Sequence, residues 1–114
     1  MEIKSHGNDI VEIIDNNVII KETDDVFGLF YIVDNCSAII VRKENIINDF
    51  FNLSTGIAGE ILQKFSNYNM RMAIIGDFEN VNSKSLNDFI YESNKIKRII
   101  FVKTIEEAVK IFNL

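Results

Sequence analysis

The sequence predicts an α/β domain: a mixed, mainly parallel sheet of four to five strands with helices packed on it. Three observations carry this. Short continuous apolar runs at Ala38–Val41, Met72–Ile75 and Ile99–Val102 suit strands covered on both faces. They alternate with segments whose apolar residues recur at helical spacing, which implies right-handed parallel crossovers. Two β-rich segments at the start of the chain add an antiparallel edge.

Residues 2–6 and 10–14 read as the opening strands, the second being rich in β-branched residues. Gly7-Asn8-Asp9 between them has hairpin chemistry. Asp15-Asn16-Asn17 is a turn, and Val18-Ile19-Ile20 a short extended piece. Asp24 or Asp25 can cap a helix by accepting an orphan backbone N–H; Val26, Leu29, Phe30 and Val33 then share one face. A strand over 37–42 follows, then a helical connector over 45–53. A helix over 55–68 presents Ile57, Ala58, Ile61, Leu62 and Phe65, with Glu60 and Lys64 as an i,i+4 pair on its polar side. After the strand at 72–75, stopped by Gly76-Asp77, Ser83-Lys84-Ser85 opens a helix with Leu86, Phe89 and Ile90 inward. The last strand, 98–102, leads to Thr104-Ile105-Glu106-Glu107, a capping box, and a final helix burying Ile105, Ala108, Val109 and Phe112. The order is β-β-α-β-α-β-α-β-α.

The 114 residues suffice for a single domain, 1–114, with one real core. A composition of 47% hydrophobic and 25% charged residues argues against disorder. The net charge of −5 argues against non-specific nucleic-acid binding, which needs clustered Lys and Arg. The longest apolar stretches are four or five residues, too short to span a bilayer, and the first residues do not read as a secretory signal. Cys36 is the only cysteine, so no intrachain disulfide forms, and a reducing cytoplasm fits. One Cys and one His cannot build the usual zinc site. His6, beside a turn, is expected to be solvent-exposed. No phosphate-loop, nucleophile-elbow or zinc-protease motif occurs, so neither catalytic residues nor a cofactor or metal is assigned.

In open α/β sheets, ligands and partners gather at the carboxyl ends of the strands. That rim is expected to carry Glu44 and Asn45, Gly76 and Asp77, and the loop after Val102. The starts of the following helices bring Ser54, Thr55, Gly56, Ser83, Lys84 and Ser85 to it. A hydroxyl at a helix N-terminus suits phosphorylation, because the dianion meets favourable backbone dipoles. Read more simply, Ser54 is an N-cap, and Gly56 and Gly59 let the helix pack closely on the sheet. Ser83-Lys84-Ser85, with Asp77, can surround an anion, or be no more than a capped helix start.

Phe51-Asn52-Leu53-Ser54-Thr55-Gly56-Ile57 ahead of a helix, with this element order, resembles the STAS-like fold of anti-sigma-factor antagonists. Those proteins carry Asp-Ser-Ser/Thr-Gly at the corresponding helix start. The second hydroxyl residue is phosphorylated by a partner kinase that is also the anti-sigma factor. By motif, Ser54 and Thr55 take the hydroxyl positions and Gly56 the glycine, while Leu53 stands where the aspartate would be. The strings FFNLSTGIAGEILQKF (50–65), AIIGDF (73–78) and SKSLNDFIYESN (83–94) resemble the bacterial domain-of-unknown-function 4180 family across most of the chain. Together these imply a regulatory, protein-interaction module with Thr55 or Ser54 as phospho-acceptor and a kinase or anti-sigma-type partner. The alternative is a small-molecule or nucleotide (anion) binding domain at the same rim. A homodimer through an exposed sheet edge or the first helix also stays open.

Overall fold

The computed structural model describes residues 1–7 and 9–114, so Asn8 of the expected hairpin turn lies outside the described residues. The strands are β1 (Glu2–Ser5), β2 (Ile10–Ile14), β3 (Ala38–Arg42), β4 (Arg71–Ile75) and β5 (Ile99–Val102). The helices are α1 (Asp25–Ile32), α2 (Ile57–Asn67), α3 (Lys84–Ile96) and α4 (Ile105–Phe112). The sheet runs β1-β2-β3-β4-β5, with β1 antiparallel to β2 and every other pair parallel. The expected element order is therefore found, with five strands. The connector before α2 is three 3-10 turns, Lys43–Asn45, Asn48–Phe51 and Leu53–Thr55, and α2 starts at Ile57 rather than 55. Of the extended piece at 18–20, only Ile20 pairs, in a single parallel bridge to Ile46.

Strands added in chain order by right-handed crossovers place every connecting helix on the same face. Accordingly α1, α2 and α3 cover Val11, Ile13, Ile39, Val41, Met72, Ile74, Ile99 and Phe101. Only α4, which follows the last strand, reaches the other face, burying Ala108 and Phe112 against Ile10, Ala38, Ile40, Ala73, Ile100 and Val102. Arg71 ties down its end: Nη1 donates to the Phe112 carbonyl at 3.1 Å and the guanidinium lies 4.7 Å from that ring's centroid.

The two sheet edges differ. On β5, the Ser93 hydroxyl donates to the Ile99 carbonyl at 2.6 Å, and the Asn94 side chain bonds both the N–H and the carbonyl of Phe101. Side chains of α3 thus occupy the hydrogen-bonding groups that an edge strand would otherwise offer a neighbour. On β1 all four residues are exposed.

Several local expectations are corrected. His6 is not a solvent-exposed loop histidine: its Nε2 lies 2.8 Å from Oε1 of buried Glu12. Asp24 makes no side-chain cap, while Asp25 accepts from Lys21 N and Glu22 N, bracing the turn before α1. Glu60 and Lys64 do not pair. Glu60 accepts from the Thr23 hydroxyl at 3.2 Å, and the Lys64 ammonium sits 5.5 Å from the Phe27 ring centroid. In the α4 capping box the Thr104 hydroxyl accepts from Glu107 N at 3.1 Å, but the Glu107 carboxylate meets that hydroxyl, at 3.4 Å, rather than the Thr104 backbone.

Gly59 does not serve close packing on the sheet either: it is exposed, and a Cβ there would meet nothing within 4 Å. Gly59→Ala is therefore expected to stabilise the fold by ~1 kcal/mol, because alanine loses less backbone entropy in a helix interior. Thermal unfolding should show a midpoint about 4 °C higher; an unchanged or lower midpoint would contradict it.

Candidate functional site

The exits of β3, β4 and β5 meet at one rim. At Gly76 a Cβ would lie 3.1 Å from Lys43 Cβ and 3.2 Å from Phe78 Cζ, tighter than nearly all real Cβ contacts, so a side chain there would push both neighbours aside. Glycine lets β4 leave the sheet between these two residues. The Lys43 ammonium lies 5.6 Å from the Phe51 ring centroid and 5.5 Å from that of Phe78. Phe78 packs edge-on against Phe101 at 5.2 Å, and Phe51 lies 6.2 Å from Phe78. An aromatic cluster capped by one ammonium thus roofs the strand exits.

Beside it is an open cleft of about 290 Å³ lined by Gly76, Phe78, Glu79, Phe101, Val102, Lys103 and Glu107. Its wall is apolar and its lip charged. Asp77 stands next to it: its Oδ1 accepts from Glu79 N at 3.0 Å, a turn that sets the Glu79 backbone. The Lys103 ammonium donates to Glu79 Oε1 across the lip. That hydrogen bond first, and then the Glu79 charge, hold Lys103 above the ordinary lysine value. Its stabilising contribution is therefore present throughout the neutral range and is lost only as pH rises through the raised value.

Of the residues singled out in the sequence, Gly76 and the loop after Val102 line the cleft, while the hydroxyl-bearing helix starts fall around the rim beside it. Ser54 and Thr55 are exposed, on the connection whose Phe51 reaches Phe78. The Ser54 hydroxyl donates to Asn52 Oδ1 at 2.7 Å. The Thr55 Oγ1 lies 2.7 Å from the Asp49 carbonyl and 2.9 Å from that of Asn52, and accepts from Ile57 N at 3.3 Å. Gly56 follows with φ 80°, the left-handed conformation that joins the 3-10 turn to α2. Ser83 caps α3 by accepting from Leu86 N at 3.2 Å, and its hydroxyl is 3.1 Å from that of Ser85. Lys84 pairs with Asp88 one turn along at 3.0 Å. Asn45 is a buried staple: it accepts from Arg42 N and donates to the Asp15 and Asn17 carbonyls, joining the exits of β2 and β3.

Thr55→Val is expected to lower stability by ~1 kcal/mol, the usual net contribution of a side-chain hydrogen bond, here the bonds to the Asp49 and Asn52 carbonyls. Urea unfolding would read this as a lower midpoint with an unchanged slope; no change would mean the hydroxyl's bonds contribute nothing.

Lys43, Phe78, Glu79 and Glu107 are not marked as site residues by the sequence; Phe51 enters only within the motif string ahead of α2, and Lys103 only as part of the loop after Val102. The available signal was their position, since Phe78-Glu79 and Lys103 directly follow the ends of two apolar runs. Among the described residues, no three His, Cys, Asp or Glu side chains converge to hold a metal ion. Cys36 precedes β3, at the opposite rim. Burial first, then the charges of Asp9 and Asp34, push its thiol up, the reverse of an activated nucleophile.

The model of one protein family, Domain of unknown function (DUF4180), matches residues 5–111. The chain belongs to this family. No curated protein and no solved structure matches it. The DUF4180 match runs from the end of β1 to within α4, so cleft, aromatic roof and connector all lie inside it. Among the described residues of this DUF4180 protein, no helix is long and apolar enough to cross a membrane.

Proposed function

We propose that this protein is a regulatory interaction module that docks a partner protein on the rim at the carboxyl ends of its strands. The observation that carries the reading is the cleft of about 290 Å³. It is at the small end of ligand pockets, the size of one or two side chains of a partner rather than of a whole nucleotide. Its apolar wall of Phe78, Phe101 and Val102 suits an aliphatic or aromatic anchor residue. The lip of Glu79, Lys103 and Glu107 suits a segment with charges of both signs. The exposed Ser54 and Thr55 on the same connection are the phospho-acceptor candidates, in line with the STAS-like resemblance. Phosphate on Thr55 would remove its hydroxyl donor from the Asp49 and Asn52 carbonyls, and so loosen the connector beside the docking surface.

The anion-binding alternative draws less support, because the ammoniums of Lys84 and Lys103 already serve Asp88 and Glu79. The test is site-specific photo-crosslinking in cells with a photoreactive residue at Asp77, and at Ile96 as a remote control. One protein adduct is expected from position 77 only, and it should disappear when Phe78→Ala removes the cleft wall. An adduct insensitive to Phe78→Ala, or none from position 77, would overturn the docking reading. Incubation with a kinase from the source cells should place phosphate on Thr55 or Ser54; phosphate elsewhere would overturn the switch.

A further inference from the structure

We infer that the open edge of β1 pairs with β1 of a second copy of this chain, making a two-fold symmetric dimer with one continuous ten-stranded sheet. The inference concerns the side of the molecule away from the rim and stands independently of the docking proposal. It begins with the ladder. The β1–β2 register places Glu2, Ile3, Lys4 and Ser5 opposite Ile14, Ile13, Glu12 and Val11. His6 N donates to the Ile10 carbonyl at 2.8 Å, continuing that register by one pair. Hydrogen-bonded pairs alternate along an antiparallel ladder. Lys4 and Glu2 therefore also turn their N–H and C=O groups toward β2, while Ile3 and Ser5 turn theirs outward. No other part of the described chain meets that outer edge, and all four β1 residues are exposed.

The sequence of β1 is self-complementary about Ile3. In an antiparallel pairing centred on Ile3, Ile3 faces Ile3 of the second copy and both exchange their outward N–H and C=O groups. Glu2 faces the second copy's Lys4, and Lys4 its Glu2. These two ion pairs sit at the non-hydrogen-bonded positions, where side chains approach most closely. The other face of the pairing carries Ile3, 47% exposed, on the layer that holds α1. Ile32 of α1 is 46% exposed on the flank turned away from the α2-facing Phe27 and Phe30. Neighbouring registers are penalised. Centring on Lys4 sets Lys4 against Lys4, and centring on Glu2 sets Glu2 against Glu2. The opposite edge, on β5, is occupied by Ser93 and Asn94. Each chain thus offers one open edge, so association closes at two copies instead of propagating.

The experiment is sedimentation velocity over a wide concentration range on the full chain. The expected result is a monomer–dimer equilibrium. Glu2→Lys and Lys4→Glu, each alone, set like charges opposite one another at both pairs and should weaken the dimer roughly tenfold or more. Mixing the two variants should restore it, because each copy then supplies the charges the other lacks, and only folded variants can do so. Ile3→Pro removes an outward N–H that β2 does not use and should abolish the dimer; its folding is checked by circular dichroism. A wild type monomeric at every concentration, a dimer indifferent to Glu2→Lys and Ile3→Pro, or a failure of the mixture to re-associate would overturn the inference.

Discussion

Phe50→Ala is expected to destabilise the protein by about 3–5 kcal/mol, a large part of the 5–15 kcal/mol typical of a domain. Phe50 is fully buried, yet it comes from a 3-10 turn and not from a regular element. Its ring lies 4.9 Å from Phe51 and 6.4 Å from Phe101. The connector around it is otherwise held by few long-range bonds, notably Ile47 N to the Ile20 carbonyl and Ile19 and Ile20 N to the Asn45 carbonyl. Truncating the ring removes its transfer free energy and leaves a cavity that a sheet on one side and a helix on the other cannot fill. Urea unfolding should show a much lower midpoint. Phe51→Ala should cost clearly less, because Phe51 is only half-buried. A Phe50→Ala loss below ~1 kcal/mol would mean that the connector is not docked as described, and the rim would lose its positioning element.

The repeating part of the fold was legible because its causes are local. Ala38–Val41, Met72–Ile75 and Ile99–Val102 are apolar at every position, and only a strand buried on both faces makes sense of that. The inward stripes of α2 and α4 follow from helical spacing. What was illegible depends on contacts between distant residues. Glu60 and Lys64 have ideal spacing, yet Thr23 and Phe27 of the segment leading into and through α1 capture them. Phe50 and Phe51 are adjacent in sequence, but the core takes one and the rim the other. The strand-exit rule brings Gly76, Asp77 and the loop after Val102 to one rim, but nothing within either segment announces the apolar wall that makes a cleft between residues 76–79 and 101–107. Ser54, Thr55 and Ser83 drew notice because hydroxyls at helix starts are visible in a sequence. Lys43, Phe78 and Lys103 gain meaning only once three strand exits are brought side by side.

The second large effect is expected from the charged cluster on the half of the sheet that α4 leaves uncovered. There Glu12 is only 4% exposed, with His6 Nε2 at 2.8 Å and Arg42 Nη2 at 3.5 Å. Lys4 is its cross-strand neighbour. The burdens are unequal. The Arg42 side chain is 42% exposed and can return to water, whereas the Glu12 carboxylate cannot. Removing the partners should therefore hurt more than removing the carboxylate's charge. Glu12→Gln keeps the size and a hydrogen-bond acceptor for His6, and should cost less than ~1 kcal/mol. His6→Ala with Arg42→Ala strands a buried carboxylate, and should cost about 2–3 kcal/mol, below the value for fully buried pairs because Arg42 is partly solvated. Adding Glu12→Leu to that double variant removes the uncompensated charge and should recover most of the loss, since apolar replacement of a buried ionic group is often neutral or better. Chemical denaturation of the three variants side by side decides it. If the double variant is no less stable than Glu12→Gln, or if Glu12→Leu deepens the loss, then Glu12 is held by packing or water, and the two basic side chains only decorate it.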